Sequence, residues 1–123
     1  KCKKNSKVGI LCTEATLKTK VYSKYFDKYF NMISPSRSLQ INSVNKSIKL
    51  VKIGKVREAE KAIKPAVNYL IKNKCKKIIL GCTELPIAIF AYKSFKKIKK
   101  SKTFIDPNLL LANVSMRKYK TFK

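Results

Sequence analysis

The sequence predicts an α/β fold: a mainly parallel sheet flanked by helices, in a single unit over residues 1–123. Three observations carry this. Two compact apolar runs, Lys7–Thr13 and Lys76–Leu80, read as buried strands. The stretches between and after them repeat their apolar residues at helical spacing. The two patterns alternate along the chain, as βα units of a parallel sheet do.

The elements follow in order. Lys7–Thr13 (KVGILCT) is the first strand. Thr16–Tyr29 carries Leu17, Val21, Tyr25 and Tyr29 at a spacing of four, which is helical, with Thr13 or Thr16 as its cap. Met32 and Ile33 mark a short strand stopped by Pro35. Leu39, Ile41, Val44, Ile48 and Val51 form a helical stripe that Gly54 ends. Lys55–Lys72 is a further helix, with Pro65 expected to kink it. Lys76–Leu80 is the second strong strand, Gly81–Glu84 a turn, and Leu85–Tyr92 a short helix with Pro86 near its start. Lys93–Lys102 reads as a basic connection, Thr103–Ile105 as a last strand, and Asp106-Pro107 opens a final helix to about Met116.

The composition bounds the function. A chain of 123 residues with 45% hydrophobic content builds one modest core. Its first residue, Lys1, points to a fragment or a processed chain. No apolar run nears the roughly 20 residues that cross a bilayer, and no secretory pattern is present. A cytoplasmic protein without a membrane partner is expected. The formal charge of +24 suggests a nucleic-acid-binding module, because basic surfaces bind phosphate by releasing counterions. Against that, arginine occurs only at Arg37, Arg57 and Arg117, and the lysines spread along the whole chain. Bidentate base and phosphate contacts favour arginine, so a solvated, lysine-biased surface is the preferred reading.

The cysteines are Cys2, Cys12, Cys75 and Cys82, and the chain has no histidine. A Cys/His zinc site is excluded, and the C-x-x-C spacing of a four-cysteine site is missing. Free thiols in a reducing compartment are expected. Cys12 and Cys75 read as packing residues, and Cys2 as exposed and incidental.

The stretch richest in chemistry is Ile78-Ile79-Leu80-Gly81-Cys82-Thr83-Glu84-Leu85-Pro86. It reads as a buried strand, a tight glycine turn, a thiol and a helix start. Ligands of parallel α/β sheets collect beyond the carboxyl ends of the strands. Helix N–H groups there are expected to lower the Cys82 pKa, and Thr83 with nearby amides to hold a carboxylate. Pattern alone leaves an equal alternative, that Cys82 is a small buried apolar residue.

The GCTELP segment resembles the second-cysteine motif of the aspartate/glutamate racemase superfamily, in its aspartate racemase-like form. Val8–Thr16 is similar to the family's strand followed by Thr-x-Gly-Thr, Val51–Gly54 to its Lys-x-Gly segment, and Ile105–Pro107 to the Ile-Asp-Pro opening its last helix. The likeness covers about Lys7 to Met116. It implies one lobe, the C-terminal half, of a pseudo-symmetric two-lobe enzyme with one cysteine per lobe. No pyridoxal phosphate, other cofactor or metal is implied. One thiolate takes the α-proton of aspartate or glutamate, and the other thiol returns a proton to the opposite face. Cys82 would be one acid/base. Thr13, Thr16 and Thr83 would hold the α-carboxylate and amine, Lys52 the distal carboxylate, and Glu84 would bind the ammonium or orient the thiol. The helix from about residue 107 would pack on the missing lobe.

Plainer roles stand beside these. Thr13 and Thr16 serve as helix caps, Glu84 as a first-turn acid, Lys52 as a solvated cation and Asp106 as an N-cap. Two departures matter. Ala15 replaces the family's glycine, and Glu14 puts an acid near a carboxylate site. The half that bears the other cysteine is absent, so two-thiol racemisation is expected to need a second lobe or a second copy. The alternatives are an inactive fragment, a relative of the arylmalonate decarboxylases or maleate isomerases, or the nucleic-acid module.

Overall fold

The computed structural model describes residues 5–91, 93–100 and 102–122. Four strands, β1 (Lys7–Leu11), β2 (Asn31–Ile33), β3 (Lys77–Leu80) and β4 (Phe104–Ile105), form one sheet in the order β2-β1-β3-β4. All three pairings are parallel, with Leu11 opposite Leu80 and Ile79 opposite Ile105. The helices are α1 (Glu14–Lys18), α2 (Ser23–Phe26), α3 (Arg37–Leu39), α4 (Lys46–Lys52), α5 (Val56–Lys72), α6 (Glu84–Phe90), α7 (Lys96–Lys100) and α8 (Pro107–Thr121). Gln40–Asn45 joins α3 to α4 as a π-helical stretch.

The period-2 geometry of the strands sorts their side chains to two faces. Leu11, Ile78 and Leu80 pack with Val44, Ile48, Ile63, Val67, Leu70, Leu85 and Ile89 from α4, α5, α6 and the π stretch. Val8, Ile10, Cys12 and Ile79 pack on the other face against Leu17, Tyr22, Phe26, Phe30 and Met32. Gly9 faces Leu70, whose Cδ1 lies 2.8 Å from where a Cβ would stand.

Several expectations are corrected. The helix expected over Thr16–Tyr29 is two short ones, because Lys20 takes a left-handed conformation (φ 52°) that ends the first. The stripe Val21, Tyr25, Tyr29 is exposed, and its neighbour Tyr22, Phe26, Phe30 faces the sheet. The helix expected from Leu39 starts at Arg37 and contains the π stretch. Gly54 ends α4 as expected, at φ 80°, with Lys55 N–H donating to Leu50 O. The basic connection contains α7, anchored by buried Phe95, which meets Phe104 edge-on at 5.9 Å. The last helix runs on to Thr121. Tyr92 and Cys2 lie outside the described residues. No helix among the described residues is long and apolar enough to cross a membrane.

Pro65 lies inside α5 without breaking it. Ser43 of the π stretch packs against this part of α5: its hydroxyl accepts from Ala66 N–H at 3.2 Å and donates to Ala62 O. A side chain inserted this way satisfies groups that a proline otherwise disturbs. Ser43→Ala leaves a buried donor and a partly buried acceptor without that partner. It is expected to destabilise the domain by about 1–3 kcal/mol, read as a lower midpoint in urea with an unchanged slope.

Candidate active site

The site forms where β1 and β3 end side by side. Leu11 pairs with Leu80, so Thr13 and Cys82, each two residues further on, leave the sheet together. Thr13 caps α1: its Oγ1 accepts from Thr16 N–H at 3.2 Å, and the two hydroxyls meet at 3.0 Å. Thr13 thus performs the capping role and Thr16, inside α1, does not; both hydroxyls lie at the strand end beside which the thiol emerges. Ala15 takes an ordinary helical conformation in α1, so the missing glycine costs nothing there. Glu14 is turned aside, with Asn45 Nδ2 donating to its Oε1 at 3.2 Å.

The expected glycine turn has a different cause from the one anticipated. Gly81 does not adopt a positive φ. It is required by close approach: a Cβ there would lie 2.9 Å from Cys12 Cβ, and 3.3 Å from both Leu11 O and Tyr22 Cε2. Gly81 N–H donates to Leu11 O at 2.7 Å, which fixes the approach.

Cys82 follows, half-buried against the main core. The backbone N–H groups of Glu84 and Leu85 point to its sulfur, and its thiol donates to the Glu84 carboxylate. The expectation that the helix start would lower its pKa is overturned. Burial pushes the thiol up, and the Glu84 charge adds to this, outweighing the two N–H groups that favour thiolate. Cys12 is fully buried and is pushed up to about 12 by burial, with Cys82 nearby adding to it, so it stays a neutral packing thiol. Cys75 is buried as well.

Glu84 ties the site together. Thr83 Oγ1 donates to its Oε2 at 3.1 Å, and Lys52 Nζ stands 3.8 Å from its Oε1. Burial alone would push the Glu84 carboxyl up. The hydrogen bonds from its own N–H, Thr83 and Cys82, with the Lys52 charge, outweigh that and hold it below the ordinary carboxylate value. Of the six residues anticipated, Cys82, Thr83, Glu84 and Lys52 form one connected cluster, and Thr13 and Thr16 lie at the adjoining strand end.

Three further residues were not anticipated. Tyr22 packs beside Cys12 and the Gly81 turn. Gln40 is buried and donates through Nε2 to Cys12 O at 2.8 Å and Asn45 Oδ1 at 2.9 Å. Gln40 and Asn45 thereby brace the β1 end and hold Glu14 away. The π geometry that positions them frequently accompanies functional sites, but nothing in the apolar spacing announces it. A concavity of about 240 Å³ beside α1 is lined by Glu14, Leu17, Lys18, Pro35, Arg37 and Gln40, separate from the thiol.

Residues 1–114 match the family model described as Asp/Glu/Hydantoin racemase. The chain is 28% identical over 120 residues to a glutamate racemase of Carboxydothermus hydrogenoformans, covering 96% of this chain and 43% of that protein. It is 33% identical over 85 residues to an uncharacterised protein from the pnlA 3′ region of Pectobacterium carotovorum subsp. carotovorum, covering 68% of this chain and 56% of that one. Its fold is similar to that of the Picrophilus torridus aspartate racemase, with a TM-score of 0.64 and 30% identity over 82% of this chain and 39% of that one. The chain thus spans about half, or less, of the length of these relatives. With a parallel sheet that ends in a Cys-Thr-Glu turn and a family match over nearly its whole length, the chain belongs to the Asp/Glu/Hydantoin racemase family.

Proposed function

We propose that this chain is one catalytic lobe of a cofactor-independent racemase for an acidic amino acid, aspartate or glutamate, with Cys82 as one of two acid/base thiols. The observation that carries the reading is the cluster itself: a half-exposed thiol hydrogen-bonded to Glu84, with Lys52 within 3.8 Å of the same carboxylate. The thiolate of Cys82 takes the α-proton, and a thiol from a second lobe returns one to the other face. Thr83, with the Thr13 and Thr16 hydroxyls, positions the α-carboxylate, and Lys52 takes the distal carboxylate.

The second lobe would cover α8. None of its residues is buried, and Leu109, Leu110, Leu111 and Met116 are exposed. Apolar side chains gathered on one helix favour association over solvent. The family resemblance supports reading this helix as a docking element.

The test is exchange of the α-hydrogen of both hands of aspartate with solvent deuterium, followed by mass spectrometry on the whole protein. Exchange is expected in both hands when the second thiol is supplied by another lobe or copy, and in one hand only when Cys82 acts by itself. Well-folded protein that gives none rejects the proposal. Lys52→Ala is expected to raise KM for aspartate roughly 10–100-fold with a smaller loss in kcat, as for a hydrogen bond to a charged group worth about 1.5–3 kcal/mol. Initial-rate kinetics would decide it, and an unchanged KM removes Lys52 from the site.

A further inference from the structure

A second concavity, of about 480 Å³, lies between the first half of α5 and the segment that follows α6. Its polar lining is Arg57, Glu60, Lys61, Lys64, Lys93 and Ser94, and it shares no residue with the thiol site. Glu60 is the buried member of this wall, only 5% exposed. Acidic side chains are almost never buried this deeply without partners. Ser94 Oγ donates to Glu60 Oε1, which fixes the carboxylate in place. Glu60 Oε2 is hidden from solvent and has no hydrogen-bond partner. An oxygen left so bears the cost of desolvation with nothing gained in return, which folded proteins seldom tolerate. Lys61, Lys93 and Ser94 beside it are exposed, and exposed side chains change rotamer within nanoseconds, so the oxygen is within a ligand's reach.

We infer that this concavity is a second ligand site, which takes a phosphate monoester bearing free hydroxyls, a small sugar phosphate by class. A hydroxyl donates to Glu60 Oε2, and the phosphate lies among Lys61, Lys64 and Lys93. The two parts of the wall ask for different groups. Lysines hold phosphate oxygens as point charges. The Glu60 oxygen only accepts, so it repels a bare anion and calls for an O–H, as carboxylates that hold sugar hydroxyls in other α/β sites do. An ammonium would also donate to Glu60. Four cations against one carboxylate leave the lining net positive, however, and a neutral hydroxyl keeps the ligand's negative charge whole. The volume suits a ligand of this size. The inference goes beyond the racemase reading and stands without it.

Isothermal titration calorimetry on the whole protein tests this, at about 150 mM salt to screen non-specific attraction of phosphate. The probes are glucose 6-phosphate, ethyl phosphate and inorganic phosphate. Ethyl phosphate carries the ester and its charge but no hydroxyl. Wild-type protein is expected to bind glucose 6-phosphate about tenfold or more tightly than either of the others, as for a hydrogen bond to a charged group. In Glu60→Gln that advantage should fall to about threefold or less, while inorganic phosphate holds or tightens because a like charge is gone. Lys61→Gln combined with Lys64→Gln should weaken all three probes by one factor and leave the advantage intact. Wild-type protein that binds glucose 6-phosphate no better than ethyl phosphate, or not at all, overturns the inference without recourse to any variant; water then satisfies Glu60 Oε2. So does an advantage that survives Glu60→Gln in folded protein, or binding that the paired lysine substitutions leave unchanged, since the ligand then sits elsewhere. In every one of these cases the reading of Cys82 is untouched.

Discussion

Cys82→Ser is expected to slow exchange of the aspartate α-hydrogen about a thousandfold, within the range that a positioned acid or base contributes. The substitution changes little else. Serine keeps the size of the side chain and still accepts from the Glu84 and Leu85 N–H groups that point to the sulfur. Its hydroxyl can also donate to Glu84, so the melting temperature is expected to move by no more than about 3 °C. What serine lacks is an anion in the working pH range. The pH profile gives a second signature. Burial and the Glu84 charge hold the Cys82 thiol above its ordinary value, so thiolate is the minority form at neutral pH. Exchange in the wild-type protein should therefore climb as the pH rises through 7 and 8, levelling only beyond the ordinary thiol value of about 8.5. In Glu84→Gln the charge that opposes thiolate is gone, and the rise should begin at lower pH. A Cys82→Ser protein with wild-type exchange would mean that the sulfur is a packing atom.

Much of the fold was legible because β1, β3 and α5 carry unambiguous periods. Ile78, Ile79 and Leu80 are buried on both sheet faces, and a continuous apolar run states that directly. The region after β1 was read less well because two stripes spaced by four lie side by side. Val21, Tyr25 and Tyr29 are as apolar as Tyr22, Phe26 and Phe30, and only the sheet decides which of them is covered. The lysine-rich α7 reads as a connection because its buried anchors, Phe95 and partly Ile98, are few among solvated cations. In the site, Cys82-Thr83-Glu84 is contiguous and was legible as chemistry. Lys52 came to it through resemblance, since the 32 positions separating it from Glu84 hide the contact from any local pattern. Gln40 and Tyr22 meet Cys12 and the Gly81 turn through the fold, which no local pattern shows. The raised thiol pKa is hidden from the sequence for a related reason. The helix start was visible in the sequence, whereas burial and the orientation of Glu84 are properties of the folded site.

Gly81→Ala is expected to cost about 1–3 kcal/mol of stability, the range for forcing a methyl group into a packed interior. The new Cβ would stand 2.9 Å from Cys12 Cβ, closer than real side chains approach, and 3.3 Å from Leu11 O. The strand ends cannot simply part, because Gly81 N–H and Leu11 O are joined at 2.7 Å and Cys12 O is held by Gln40. The strain should therefore pass to the next residue, Cys82, and misplacing a reacting group by 1 Å can cost on the order of a hundredfold in rate. Stability and exchange should thus fall together, unlike in Cys82→Ser, where exchange alone falls. The clash names its own remedy. Cys12→Gly removes the opposing Cβ, at the expense of a cavity in the smaller core. In that background Gly81→Ala should cost less than in the wild type, with a coupling of at least about 0.5 kcal/mol in a double-mutant cycle read by urea denaturation. Equal costs in the two backgrounds would show that the glycine serves some purpose other than bringing β3 against Cys12, and the geometry that delivers Cys82 to the strand ends would then need another cause.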